Sequence, residues 1–225
     1  MKLNTKEIEL LIDSTLLRPN VTEEEIKNHC KEAKEYKFKS VAVNSSQVKK
    51  CKELLEDSGV LVGAAISFPL GQTTIETKLS EIENAIQDGV DEIDYVINIG
   101  KVKDSDFNYI EEEMKRIVEL CRRHKVTSKV ILETCYLTKE EIVSVSTIAR
   151  KIRPNFVKTS TGFGTAGACV EDVELMKSIV HDEVAIKASG GIRDLELLEK
   201  MISVGATRIG TSKGAQIIKQ INSIK

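Results

Sequence analysis

The sequence has no tryptophan, 4% aromatic residues and three prolines in 225 residues, and no apolar run in it approaches the roughly 18 residues of a membrane span. Few aromatics leave little to stack on nucleobases. With 33 basic against 35 acidic side chains and a net charge of -2, no basic stripe is available to grip a phosphate backbone. Neither nucleic-acid binding nor membrane association is expected. Cysteine pairs are missing as well: Cys30, Cys51, Cys121, Cys135 and Cys169 are widely spaced, with no C-x-x-C and no secretory leader over Met1–Leu11. Such an odd set reads as reduced thiols in a cytoplasmic protein, packed mostly as small apolar residues. His29, His124 and His181 lack metal-ligand spacing, and neither H-E-x-x-H nor G-x-S-x-G occurs, so no metal site and no serine nucleophile are expected. Pro19, Pro69 and Pro154 fall at boundaries between elements, and no linker or low-complexity stretch intervenes. One domain over residues 1–225 is the resulting reading.

What the sequence does have is a regular alternation of β-branched runs with amphipathic, charge-rich segments. The runs are Ile12–Leu16, Ser40–Val43, Val60–Ile66, Glu92–Asn98, Lys129–Thr134, Phe156–Thr161, Val184–Ser189 and Thr207–Gly210. Thr22 with Glu25, and Thr138 with Glu141, have capping-box spacing, while Gly59, Gly89 and Gly205 stand where helices should stop. Eight strand-helix pairs in this length predict a closed (β/α)8 TIM barrel, because closure leaves no strand edge unpaired.

Barrel active sites lie at the C-terminal ends of the strands, so polar residues late in apolar runs are the candidates. Lysines interrupt two successive runs, in Asn155-Phe-Val-Lys-Thr-Ser-Thr-Gly162 and Val184-Ala-Ile-Lys-Ala-Ser-Gly-Gly191. Lys158 and Lys187 occupy equivalent positions about one βαβ unit apart. If both point inward, strands about 4.8 Å apart bring the amines together, and each charge disfavours the other. Desolvation with a like charge can bring a lysine from about 10.4 toward neutrality, leaving a free amine as nucleophile. The competing reading points the lysines outward, or pairs them with an acid such as Glu133. Asp94 falls on the inward face with Val96 and Asn98 as a proton relay, and a water bridge would soften its pull on the lysines. Asp91 and Glu92, at the strand start, read as solvated. The turns Ser189-Gly-Gly-Ile-Arg193 and Gly210-Thr-Ser-Lys213 offer backbone N–H groups to a phosphate. Gly162-Phe-Gly-Thr-Ala-Gly167 fits a dinucleotide fingerprint, but the next strand ends in Lys187 and small residues where such a site needs an acid. No cofactor is expected.

These motifs, together with Ile12-Asp-Ser-Thr-Leu-Leu17, Ser40-Val-Ala-Val-Asn44, Gly63-Ala-Ala-Ile-Ser-Phe-Pro-Leu-Gly71 and Arg208-Ile-Gly-Thr-Ser212, resemble the deoxyribose-phosphate aldolases over nearly the whole chain. The resemblance implies a metal-independent, Schiff-base (class I) aldolase reversibly cleaving 2-deoxy-D-ribose 5-phosphate into acetaldehyde and D-glyceraldehyde 3-phosphate in deoxyribonucleoside catabolism. It implies Lys158 as the imine-forming residue, Lys187 as the perturbing second lysine and Asp94 as the acid/base partner. It carries phosphate contacts to Gly162, Gly190, Gly191, Arg193, Gly210, Thr211 and Ser212, and substrate proximity to Asp13, Thr15 and Thr161. Such aldolases are often dimers, which leaves a homodimer open. Ser14, Ala42, Ser45 and Lys213 depart from the family pattern without removing a catalytic group, and Lys213 reads as extra charge beside the phosphate. The alternatives are an aldolase for another phosphosugar and a silent barrel that senses one.

Overall fold

Strand β1 (Ile12–Leu16) pairs in parallel with β2 (Ser40–Asn44), and the series continues through β3 (Leu61–Ile66), β4 (Glu92–Val96), β5 (Thr127–Ile131), β6 (Phe156–Lys158), β7 (Ala185–Ser189) and β8 (Arg208–Thr211). β8 returns to β1 through Ile12↔Ile209 and Asp13↔Gly210, closing the barrel. The computed structural model describes residues 4–224. Residues 1–3 and 225, the two ends of the 1–225 domain reading, lie outside the described residues.

Helix α1 (Thr5–Glu9) precedes the barrel, and the connections between strands carry α2 (Glu23–Glu35), α3 (Val48–Leu54), α4 (Ile75–Gln87), α5 (Ile99–Lys103), α6 (Phe107–Arg123), α7 (Lys139–Ile152), α8 (Val170–Val180) and α9 (Leu195–Ser203). α10 (Gly214–Ile224) follows β8. Both expected capping boxes form, Thr22 with Glu25 on α2 and Thr138 with Glu141 on α7, and a third, Asn4 with Glu7, starts α1. Each satisfies backbone donors that the first helical turn leaves free. No described helix is long and apolar enough to cross a membrane.

Strand alternation separates two interiors. Outward residues such as Val41, Val62, Ile93, Val130, Val157, Ile186 and Ile209 meet the helices in one continuous apolar core, each fully buried Val or Ile contributing about 1.5–3 kcal/mol. Inward residues fill the barrel itself, and its lower half is ionic: Asp13, Glu92, Lys129, Lys187 and Arg208 are all buried there. Barrel interiors are usually layered with branched apolar side chains, so this one gives up apolar packing for charge.

Three strands differ from the sequence reading by two residues or more at an end, and β2, β3, β7 and β8 by one. β4 stops at Val96 because the Asn98 side chain accepts the Lys101 N–H (3.2 Å) and caps α5. β5 begins at Thr127 and ends at Ile131, since Thr127 and Ser128 pair with Glu92 and Ile93, and Glu133 turns left-handed at φ 54. β6 is only three residues long, although the Thr159 N–H still donates to the Lys187 carbonyl at 3.1 Å.

Candidate active site

Lys158 and Lys187 are Cα partners on β6 and β7, and Lys187 is in turn the partner of Arg208 on β8. Their inward positions put both amines on one carboxylate: each Nζ donates to Asp94 Oδ2 at 2.7 Å. Asp94 Oδ1 accepts from Lys129 Nζ, also at 2.7 Å. Contact with Asp94 is therefore direct, where the sequence reading softened it with a water. Glu133 pairs with neither lysine: it accepts the Thr161 N–H (3.1 Å) and hydroxyl.

Below these groups the network continues. Lys187 Nζ lies 2.6 Å from Asp13 Oδ2, and Asp13 Oδ1 accepts from Ser40 Oγ (2.7 Å) and Arg208 Nη1 (2.8 Å). Arg208 Nη1 also reaches Glu92 Oε1 at 3.0 Å, and Lys129 donates to Glu92 Oε2 at 2.6 Å. Glu92 is thus buried in the ionic tier rather than solvated. Asp91, which shares that expectation, is half-buried and binds Lys52 at 2.9 Å. Sequence reasoning missed Glu92, Lys129 and Arg208 as parts of the site. The signal available was that charged residues occupy the inward phase at the starts of β4 and β8 and in the middle of β5.

Four cations (Lys129, Lys158, Lys187, Arg208) meet three carboxylates (Asp13, Glu92, Asp94). The charges balance when one lysine is neutral. Burial, opposed by Asp94 and reinforced by the Lys187 charge, lowers the Lys158 amine to about 8. Desolvation, more than the like charge emphasised by the spacing argument, is the main cause. Burial would raise Asp94, but Lys129, then Lys158 and Lys187, hold it well below the usual carboxylate range. Asp13 is likewise held low, by Lys129, Lys187 and Arg208. The Lys129 amine is raised despite its burial, because Asp13, Asp94 and Glu92 favour its charged form.

A cavity of about 360 Å³ opens above this network. Lys158 lines it, whereas Lys187 does not and is 0% exposed. Only one of the paired amines faces incoming substrate. The cavity wall also holds Thr15, Thr161, Gly162, Gly190, Gly191, Arg193, Gly210, Thr211 and Ser212, so every expected substrate or phosphate residue except Asp13 is brought together there. Asp13 is buried beneath, against Lys187, because its place on β1 lies below the mouth. Lys213 is exposed and lines a neighbouring surface groove rather than this cavity. Ser14 is buried outside the barrel, where its carbonyl lies 3.1 Å from His29 Nε2.

Two glycines are required by close approach. A Cβ on Gly210 would sit 3.1 Å from Lys187 Cε and 2.8 Å from Ser189 Cβ, so the missing side chain lets the lysine stem pass. Gly190 has φ +87 and lies so near Gly167 that a Cβ would come 2.9 Å from the Gly167 Cα. The G-x-G-x-x-G stretch thus serves loop packing beside the cavity.

A model of the DeoC/LacD family aldolases matches residues 8–221. A deoxyribose-phosphate aldolase of Lactobacillus acidophilus is 50% identical over 221 residues, covering 98% of this chain and 93% of that one. Another, from Thermococcus kodakarensis, is 47% identical over 219 residues, covering 96% and 98%. The tetrameric deoxyribose phosphate aldolase of Aeropyrum pernix superposes with a TM-score of 0.91 at 30% identity, covering 99% of this chain and 94% of that one. A family model spanning nearly all of the chain, with relatives of this similarity, makes it a member of the DeoC/LacD aldolase family.

Proposed function

We propose that the chain is a class I aldolase that reversibly cleaves 2-deoxy-D-ribose 5-phosphate into acetaldehyde and D-glyceraldehyde 3-phosphate. The observation that carries this reading is the sharing of Asp94 Oδ2 by two lysines, of which Lys158 alone lines the cavity. The activity of the named relatives supports the choice of substrate.

An amine whose conjugate acid titrates near 8 is partly neutral at physiological pH, so Lys158 Nζ can attack the C1 aldehyde. The carbinolamine loses water to a protonated imine, with Asp94 and Lys187 within hydrogen-bonding reach to move the protons. The iminium then draws the C2–C3 bonding pair. The C3 hydroxyl gives up its proton as C3 becomes the aldehyde carbon of glyceraldehyde 3-phosphate, and an enamine of acetaldehyde stays on Lys158. Protonation at C2 and addition of water release acetaldehyde and restore the amine. Backbone N–H groups of the Gly190–Gly191 and Gly210–Ser212 turns, with the Arg193 guanidinium, suit a phosphate at the other end of the cavity. Anchoring it there holds C1 and C3 at the chemistry.

The test is a coupled assay of acetaldehyde release from 2-deoxyribose 5-phosphate without added metal. Turnover is expected. Cleavage of a different phosphosugar instead would overturn the substrate, and binding without turnover would make the barrel a sensor.

A further inference from the structure

Glu133 is buried beside the cavity yet has no place in the lysine network. It sits just past β5 in the left-handed region, at φ 54, a conformation that costs a non-glycine residue energy and persists only where its surroundings enforce it. That backbone turns the carboxylate toward the loop leaving β6. There Oε1 accepts the Thr161 N–H at 3.1 Å, and Oε2 accepts the Thr161 hydroxyl. The same hydroxyl oxygen accepts the Phe163 N–H at 3.0 Å. One carboxylate therefore fixes the loop that carries Thr161, Gly162 and Phe163, all on the cavity wall.

The loop is held elsewhere by tight contacts. Gly164 approaches so closely that a Cβ there would stand 2.6 Å from Cys135 Sγ and 3.3 Å from the Glu133 carboxyl carbon. On the far side, the Ala168 N–H donates to the Gly190 carbonyl at 3.0 Å. The loop thus spans from the Glu133 clamp to the glycine turn after β7, which is the proposed phosphate end. Burial raises the Glu133 carboxyl, while its contacts with Thr161 and the nearby Lys158 charge act in the opposite direction.

We propose that Glu133 is a positioning residue that sets the Thr161–Phe163 loop against the phosphate end of the substrate, without taking part in imine chemistry. This rests on the aldolase reading above. Glu133→Ala leaves the Thr161 N–H and hydroxyl without their partner and frees the loop, while Lys158, Lys187 and Asp94 keep all their contacts. Glu133→Gln keeps an acceptor for the N–H and restores much of the clamp.

The experiment compares wild type, Glu133→Ala and Glu133→Gln on 2-deoxyribose 5-phosphate and on unphosphorylated 2-deoxyribose, alongside borohydride trapping of the acetaldehyde imine. For Glu133→Ala, a rise in KM of about tenfold is expected on the phosphorylated sugar. The unphosphorylated sugar and imine trapping should change less than about threefold, and Glu133→Gln should recover most of the loss. Equal loss on both sugars and in trapping, or no loss on either, overturns the clamp. If Glu133→Ala does not fold, Glu133→Asp, which draws the carboxylate back by one methylene from the Thr161 N–H and hydroxyl, should give the same split at smaller size. Wild type that cleaves neither sugar would sink the aldolase reading itself, an outcome distinct from a variant that behaves like an active wild type.

Discussion

Lys158 differs from Lys187 in only two respects that matter to chemistry. It faces the cavity, and it touches one carboxylate where Lys187 touches two. The Lys187 charge, bound between Asp13 and Asp94, disfavours a proton on Lys158. Removing it by Lys187→Leu leaves three cations to three carboxylates, so Lys158 becomes the balancing charge and holds its proton more tightly. The pH at which acetaldehyde forms a trappable imine should rise by about one pH unit or more, read from the yield of reduced adduct across a pH series. An unchanged profile would mean that the two amines are not coupled.

The ionic floor is a property of the strands together, since β1, β4, β5 and β8 each contribute a side chain that none could bury alone. Lys129→Met would leave Asp94 Oδ1 and Glu92 Oε2 without their shared partner, a loss of about 3–5 kcal/mol for a broken buried ion pair. Adding Glu92→Met should recover part of it, because it removes one of the two buried carboxylates that Lys129→Met leaves short of a partner. Urea denaturation of both variants checks this, and a cost under about 1 kcal/mol for the single change would show that the floor is not energetically coupled.

The elements explain what could be read beforehand. Lys158, Lys187 and Asp94 stood out because each interrupts an apolar run in the inward phase of its strand. Glu92 and Arg208 sit at strand starts, and Lys129 opens the run read from the sequence, positions where charged residues usually meet solvent. Only closure brings Arg208 to Asp13, 195 residues away in the chain. The ends of β4 and β6 were misjudged because the Asn98 N–H goes to the Glu113 carboxylate and the Thr161 N–H to that of Glu133, backbone groups that periodicity assigns to strand. Asp13, placed near the substrate by the resemblance, lines no part of the cavity, because it lies deeper in the barrel against Lys187.

For the molecule as a whole, burying the Lys158 amine is a stability cost placed at the site of function. Lys158 titrates near 8 in the fold and near 10.5 when exposed, a gap of about 3 kcal/mol. Between these values the unfolded chain binds the extra proton, so stability should rise with pH through the window from 8 to 10.5. The penalty is fully present below pH 8. Asp13 and Asp94, held low in the fold, contribute stability that is present above about pH 4 and lost only in stronger acid. Lys158→Met, which removes the penalised group, should be about 1–3 kcal/mol more stable than wild type at pH 7 and lose the rise above pH 8. Urea midpoints at pH 7 and pH 9.5 decide it, and a variant no more stable than wild type would count against a buried amine under strain from its surroundings.

The most direct measurement is borohydride reduction of the wild-type protein with acetaldehyde, followed by peptide mass spectrometry. A single two-carbon adduct on Lys158, with a yield that climbs as the pH approaches 8, is the expected result. An adduct on Lys187 or Lys129 instead, or none at any pH, would contradict the assignment of Lys158 as the free amine.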